Sequence, residues 1–228
     1  MSISIIIPCL NEAEGIASTL APLQALRSRG VEVILVDGGS TDDTIAHSRR
    51  RVDQVLKCSR GRARQMNAGA ERANGDILLF LHADCLLPEA ADGIIIDGLN
   101  RSRRNWGRFD VRIAGKHPLF RVVETLMNWR SRLTGIATGD QAIFVTRTLF
   151  EAAGRYPDIA LMEDIAMSER LKHFGAPLCV RHAVTTSARR WEQHGLLRTI
   201  ILMWYLRLAY RLGANPEKLA SRYAAHDR

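Results

Sequence analysis

The chain has 228 residues, 46% of them hydrophobic, with a formal net charge of +8. That is enough apolar material for one α/β domain with a full core, and the charge points to an anionic partner: nucleic acid, an acidic lipid surface or a phosphorylated small molecule. The four cysteines, Cys9, Cys58, Cys85 and Cys179, are scattered without C-x-x-C spacing, which argues against a disulfide framework and for reduced thiols in a cytoplasmic setting.

The N-terminal run SISIIIP carries no basic leader or small-residue cleavage site, so it reads as a first strand rather than a signal peptide. A helix over residues 13–28 follows, then a strand VEVILVDG (31–38), a helix beginning near Ser40, a short strand QVLKC (54–58), a helix from Gly61 to Ala73 and a strand ILLFLHAD (77–84). Continuous β-branched runs alternating with helical segments predict a parallel, nucleotide-binding half-sheet. The second half predicts strands at 109–114, 142–146 and 176–184, and helices at 118–133, 147–153 and 163–174. The whole is expected to be an α/β domain over 1–190 with a helical extension over 191–228. In that extension TIILMWYL (199–206) is the longest uncharged apolar stretch, well short of the roughly 20 residues a spanning helix needs. Its helix carries Trp204, Tyr205 and Tyr210 with Arg198, Arg207 and Arg211, and its wide apolar surface suits docking on the domain, a second subunit, as in a homodimer, or an anionic membrane surface.

Ligands of such sheets collect at the carboxyl ends of the strands, where this chain places Asn11 and Glu12, then Asp37, then His82 and Asp84. PCLNEAEG lacks the G-x-G-x-x-G of dinucleotide folds. VDGGSTDDT reads in part as a helix start, with Ser40 as N-cap and Asp43 three residues on. Asp37 lies outside that explanation, and as an acceptor it suits a nucleobase N–H or a ribose hydroxyl. Arg60, Arg62 and Arg64 form either a solvated basic face or a fork for phosphate oxygens. On a strand, His82 and Asp84 would share one side and could hold a hard divalent cation together with phosphate oxygens and water. GDQAIFV and ALMEDIAMSERL offer a second acidic site. Met167, Leu171 and Phe174 predict a buried stripe, with Glu163 and Asp164 facing inward one turn earlier, as a general base requires. Trp106 is read as lining an acceptor site or as a core residue. No basic stripe interleaved with aromatics supports nucleic-acid binding in the sheet region.

Taken in order, IIPCLNE, VDGGSTDDT, the G-x(5)-N-x-G of GRARQMNAG, FLHAD and MEDIAMSERL resemble family 2 inverting glycosyltransferases of the GT-A fold, and FLHAD with TTSARRW resembles a short bacterial subgroup of them. The resemblance implies a GT-A-like mixed sheet flanked by helices, a nucleoside-diphosphate sugar donor with UDP as the family default, and a divalent metal, Mn²⁺ or Mg²⁺. It implies that Pro8, Asn11, Glu12 and Ala83 line the nucleotide pocket, that Asp37 contacts the base and that Arg62 lies near the diphosphate. Asp84 would be the metal ligand, helped or not by His82, which stands where most members have the first aspartate of D-x-D. Asp164 would be the catalytic base. Q-x-x-R-W of processive synthases is reduced here to ARRW (188–191) and their long membrane helices are missing, implying transfer of a single sugar to a hydroxyl acceptor, lipid-linked if the C-terminal helix sits on a membrane. A binding protein without turnover and a nucleotidyltransferase are the alternatives.

Overall fold

The computed structural model describes residues 1–226, apart from the side-chain surroundings of 190, 193, 194, 225 and 226. Strand β1 (Ile3–Cys9) leads through α1 (Ile16–Leu20) and α2 (Leu23–Ser28) to β2 (Glu32–Asp37), then α3 (Thr44–Ser48), β3 (Gln54–Lys57), α4 (Arg62–Arg72) and β4 (Ile77–Phe80). The second half runs β5 (Cys85–Leu86), α5 (Ala91–Ser102), β6 (Trp106–Ala114), α6 (Pro118–Thr134), β7 (Phe144–Thr146), α7 (Arg147–Ala152), α8 (Glu163–Lys172) and β8 (Leu178–Ser187). It closes with α9 (Arg189–His194), α10 (Leu196–Arg211) and α11 (Pro216–His226).

The strands form one mixed sheet in the order β3-β2-β1-β4-β7-β6-β8-β5. The first four are parallel, β7 is antiparallel to both neighbours, and β6 and β8 run parallel. β1 is buried at every position, because its alternate side chains feed two cores: Ile3, Ile5 and Ile7 pack under α1, α2 and α5, while Ile6 packs with Val36, Met66, Phe80 and Met167 under α4 and α8. Gly69 lets α4 approach this closely, since a Cβ there would fall 2.4 Å from Ile6 Cγ2.

The strand order reverses between β1 and β4, and there the sheet opens. Ile6 O still accepts from Leu81 N at 3.0 Å, but two residues on Pro8 has no N–H to give, and the Cα pairing with β4 stops at Ile6. Gln65 Nε2 fills the opposite gap by donating to Cys9 O and Val36 O, both at 2.8 Å.

Several expected elements differ in detail. The 13–28 helix breaks at Pro22 into α1 and α2. The helix expected near Ser40 begins at Thr44 without a side-chain cap. Ser40 instead accepts from Asn11 N at 2.9 Å, its N–H being directed to Asp37. β4 ends at Phe80, so His82 and Asp84 sit on a turn, closed by Cys85 N to His82 O, and strand alternation does not govern them. Phe174 is 56% exposed, because α8 ends at Lys172 and the helical period stops there. Trp106 is core, donating Nε1 to Gly175 O at 2.8 Å.

Two helices carry apolar residues outward. α6 buries Phe120, Glu124 and Ser131, Asn128 bonding both backbone groups of Val111, and exposes Leu119, Val122, Leu126, Trp129 and Leu133. α10 seats Leu206 and Met203 against Met162 and Ile165 while leaving Leu197, Ile201, Trp204, Tyr205 and Leu208 exposed, as is Leu212 just past its end.

Candidate active site

At the mouth of β1 and β2 the polar side chains satisfy one another. Asp37 is 1% exposed; its carboxylate accepts from Gly39 N at 3.0 Å and Ser40 N at 3.1 Å, bracing the turn in which Gly39 takes φ +96°. Asn11, held at φ +53°, accepts from Thr41 N, and Asp42 accepts from Ala13 N and Thr44. Burial, and then the charges of Asp37, Glu12 and Asp42, push the Cys9 thiol up to about 12. Pro8 is buried in β1, and Glu12 Oε2 pairs with Arg189 at 3.1 Å.

Beyond the reversal point, the turn after β4 meets the loop before β7. Ala83 is buried and its carbonyl accepts from Thr19 on α1 at 2.6 Å. Asp84 O accepts from Ser187 N, and β5 pairs with Thr185 and Thr186 of β8. This pairing joins FLHAD to TTSARRW in the fold: the end of β8 clamps the turn while Arg189 holds Glu12. Arg190 of that motif lies outside the described side chains.

His82 Nδ1 lies 3.4 Å from Asp140 Oδ1. A Cβ on Gly139 would fall 2.0 Å from His82 Nε2, so only glycine leaves room for the ring. His82, Cys85 and Asp140 bring one ligand atom each within 4.8 Å of one another, and Asp84 Oδ1 is 3.6 Å from Cys85 Sγ. Burial, then Asp84 and Asp140, hold the Cys85 thiol well above its ordinary value. Asp84 is not part of that gathering and touches it through Cys85; because hard cations prefer oxygen, Asp140 and His82, with the Asp84 carboxylate next to Cys85, are the groups that could take Mn²⁺ or Mg²⁺. Asp140 is a candidate ligand that the sequence did not single out: GDQ reads there as part of the second acidic site, and its packing on His82 sets it beside FLHAD as well.

The second acidic site adjoins the first. Asp164, opening α8, accepts from Gly139 N and Ile165 N, both at 2.7 Å. Glu163 is 2% exposed and pairs with Arg62 at 3.1 Å. Desolvation works to lower the Arg62 pKa, but Glu163, Asp164 and Asp140 outweigh it and raise it. Arg62 is thus the arginine of its trio at the crevice, its side chain 42% exposed; Arg64 grips Asp158 instead and Arg60 is exposed. Asn67 of the G-x(5)-N-x-G spacing exchanges two bonds with the backbone of Tyr156, tying α4 to the loop that delivers Glu163 and Asp164. Burial, helped by Asp164 and Glu163, raises the Tyr156 hydroxyl well above its usual value. Ala142 at φ +47° and Met162 at φ +71° flank these two loops, the kind of local strain that concentrates at functional sites.

Residues 4–150 match the family described as glycosyl transferase family 2. Among curated proteins, the poly-beta-1,6-N-acetyl-D-glucosamine synthase of Staphylococcus aureus (strain COL) is 25% identical over 215 residues, covering 84% of this chain and 52% of that protein. Its Staphylococcus epidermidis counterpart is 25% identical over 191 residues, covering 75% and 46%. The chain therefore spans about half the length of the curated relatives it matches. Two solved structures share the fold. S. aureus TarS 1–349 in complex with UDP-GlcNAc has a TM-score of 0.67 at 15% identity, covering 82% of this chain and 58% of that one. Mannosyltransferase PcManGT from Pyrobaculum calidifontis, in complex with GDP-Man and Mn²⁺, has a TM-score of 0.64 at 22% identity, covering 98% and 69%. The mixed sheet flanked by helices is the GT-A fold.

Proposed function

Since the chain belongs to glycosyl transferase family 2, we propose that it transfers one sugar from a nucleoside-diphosphate sugar to a hydroxyl acceptor with inversion at the anomeric carbon. The observation that carries this reading is the merging of two acidic sites: Asp164 bonds Gly139 while the adjacent Asp140 faces His82, which sets a carboxylate base beside a divalent-metal donor set. The nucleoside occupies the mouth lined by Pro8, Asn11 and Glu12, where Asp37 positions the 38–40 turn from behind, and Arg62 faces the diphosphate.

In the reaction, Asp164 takes the proton of the acceptor hydroxyl as its oxygen bonds to the anomeric carbon, and the bond from that carbon to the diphosphate breaks on the opposite face. The Gly139 and Ile165 amides fix the orientation of the Asp164 carboxylate for this. Asp140 and His82, with Asp84 beside them, would hold a divalent ion, which would supply charge neutralisation for the departing nucleoside diphosphate. Transfer of a single sugar is supported by the reduction of the processive Q-x-x-R-W pattern to ARRW at 188–191.

The outward apolar stripes of α6 and α10, with Arg198 and Arg211 among them, favour attachment to an anionic membrane surface, apolar side chains at the acyl boundary and arginines toward headgroups. No helix among the described residues is long and apolar enough to cross a membrane. The test of function is a panel of nucleoside diphosphates and their sugars, with and without Mn²⁺, read by thermal shift. It is followed by proton NMR of the anomeric product once a donor and acceptor turn over. Stabilisation by one nucleotide series and an inverted product support the proposal. Retention of configuration would reject the single displacement, and binding without turnover of any acceptor would favour a non-catalytic sugar-nucleotide binder.

A further inference from the structure

Most buried or half-buried arginines of this fold have partners. Arg108, fully buried on β6, and Arg132 share Asp110, and Arg108 also donates to the carbonyls of Phe109 and Asn128, leaving only Nε unbonded. Arg147 donates to the carbonyls of Ala70, Ala73 and Gly75. Arg130 on α6 and Arg207 on α10 differ. Buried Nε and Nη2 of Arg130 and buried Nε of Arg207 have no acceptor, and neither guanidinium forms an ion pair among the described residues. They also repel: desolvation first, then Arg207, Arg211 and Arg108, bring Arg130 down to about 10, with Asp164 as the opposing carboxylate. Arg207 is likewise lowered by desolvation and Arg211, against Asp164 and then Asp140. Leu206 packs on Met162 and Ile165, which brings the next residue in the chain, Arg207, to the start of α8, where Asp164 stands.

Like-charged, desolvated donors without acceptors are costly to fold, and a doubly charged oxyanion between them would satisfy both. Because Leu206 packs on Met162 and Ile165 at the start of α8, the unpartnered Nε of Arg207 belongs on the side of the base, and so does an anion that it would hold. We propose that Arg130 and Arg207 form a subsite for a phosphate group carried by the acceptor, next to the hydroxyl that Asp164 deprotonates. This rests on the transferase reading and narrows its acceptor to phosphorylated molecules. The apolar stripes beside both arginines make the phosphate of a lipid the favoured source.

The experiment measures binding of phenyl phosphate, and of phosphatidylcholine vesicles with and without phosphatidic acid, to protein saturated with UDP and Mg²⁺. The variants Arg130→Gln, Arg207→Gln and Arg130→Lys are compared with the wild type. Expected is phosphate binding weakened at least about tenfold by either glutamine substitution, partial rescue by lysine, UDP affinity within about twofold of wild type, and thermal midpoints equal to or above wild type, since an uncompensated cation is removed. Binding of phenyl phosphate as strong as that of phosphatidic acid vesicles would assign a soluble acceptor to the same subsite. Weakened UDP binding in the glutamine variants would reassign the arginines to the donor. Lowered thermal midpoints in both would mark them as structural, and phosphate binding untouched in both would overturn the subsite. Failure of the wild type to bind UDP or any other nucleoside diphosphate put in its place would instead defeat the transferase reading itself.

Discussion

The two ends of the crevice treat charge in opposite ways. At the nucleoside end Asp37, Asn11 and Asp42 are matched to amides and hydroxyls of their own loops, so the walls are complete before any ligand arrives. At the proposed acceptor end, among the described residues, Arg130 and Arg207 hold buried donors with no acceptor, and Asp164 accepts from two amides. A preformed wall loses little freedom on binding, whereas uncompensated charge is tolerated only where a ligand or a reaction uses it. Substitutions at the first end should therefore reduce stability, and those at the second should reduce activity.

The sharpest separation comes from Asp164→Asn. Its amide oxygen can still accept from Gly139 but cannot take a proton, so turnover should fall about a thousandfold with UDP affinity and thermal midpoint near wild type; a parallel loss of UDP binding would place Asp164 on the donor. Next is Asp37→Ala at the opposite end, which removes the buried carboxylate that the Gly39 and Ser40 amides donate to and should cost about 2–3 kcal/mol in urea unfolding. An unchanged midpoint there would erase the contrast between the two ends. Replacing Trp129 and Trp204 together by serine should reduce flotation with anionic vesicles severalfold and leave folding intact; if the wild type does not float but sediments as a dimer that the double variant loses, the stripes serve a second copy of the chain.

The smallest effect is a pH signature far from the crevice. Burial works upward on Glu32, but hydrogen bonds from Ser4, Asn74 and Gln54 outweigh it and lower its pKa below the ordinary 4.5. A carboxylate depressed on folding contributes stability that is present above the unfolded value and lost as pH falls through the folded one. Glu32→Gln should accordingly lower the thermal midpoint slightly at pH 7, with the gap closing in acid below the ordinary carboxylate range. A gap independent of pH would mean that the hydrogen bonds, and not the charge, matter.

The nucleoside end was the more legible in sequence. Four β-branched runs with short connections determine a parallel half-sheet, and strand ends bearing Asn11, Glu12, Asp37 and Asp84 mark its mouth. The helix over Ala91–Ser102 was not foreseen, because ADGIIIDGLN combines two glycines with an Ile triplet that suits a strand equally well. Asp140 escaped as a ligand because its pairing with His82 spans 58 positions and depends on Gly139 having no side chain. The inside-out character of α6 follows from Glu124 and Asn128 serving the backbone of β6, a partnership that periodicity cannot reveal. Glu163 and Asp164 stood out in the sequence because two acids at a helix start fall near the face of Met167 and Leu171, a local signal; Glu163 is buried and Asp164 half-buried.

The most direct test of the central claim, that the turn after β4 and the loop before β7 make one metal and diphosphate site, is Mn²⁺ affinity measured by electron paramagnetic resonance with and without UDP. UDP should tighten Mn²⁺ binding at least tenfold in the wild type, and Asp140→Asn and Asp84→Asn should each abolish that coupling while Glu32→Gln leaves it intact. Mn²⁺ and UDP binding independently of one another, or coupling that survives both aspartate substitutions, would contradict the account.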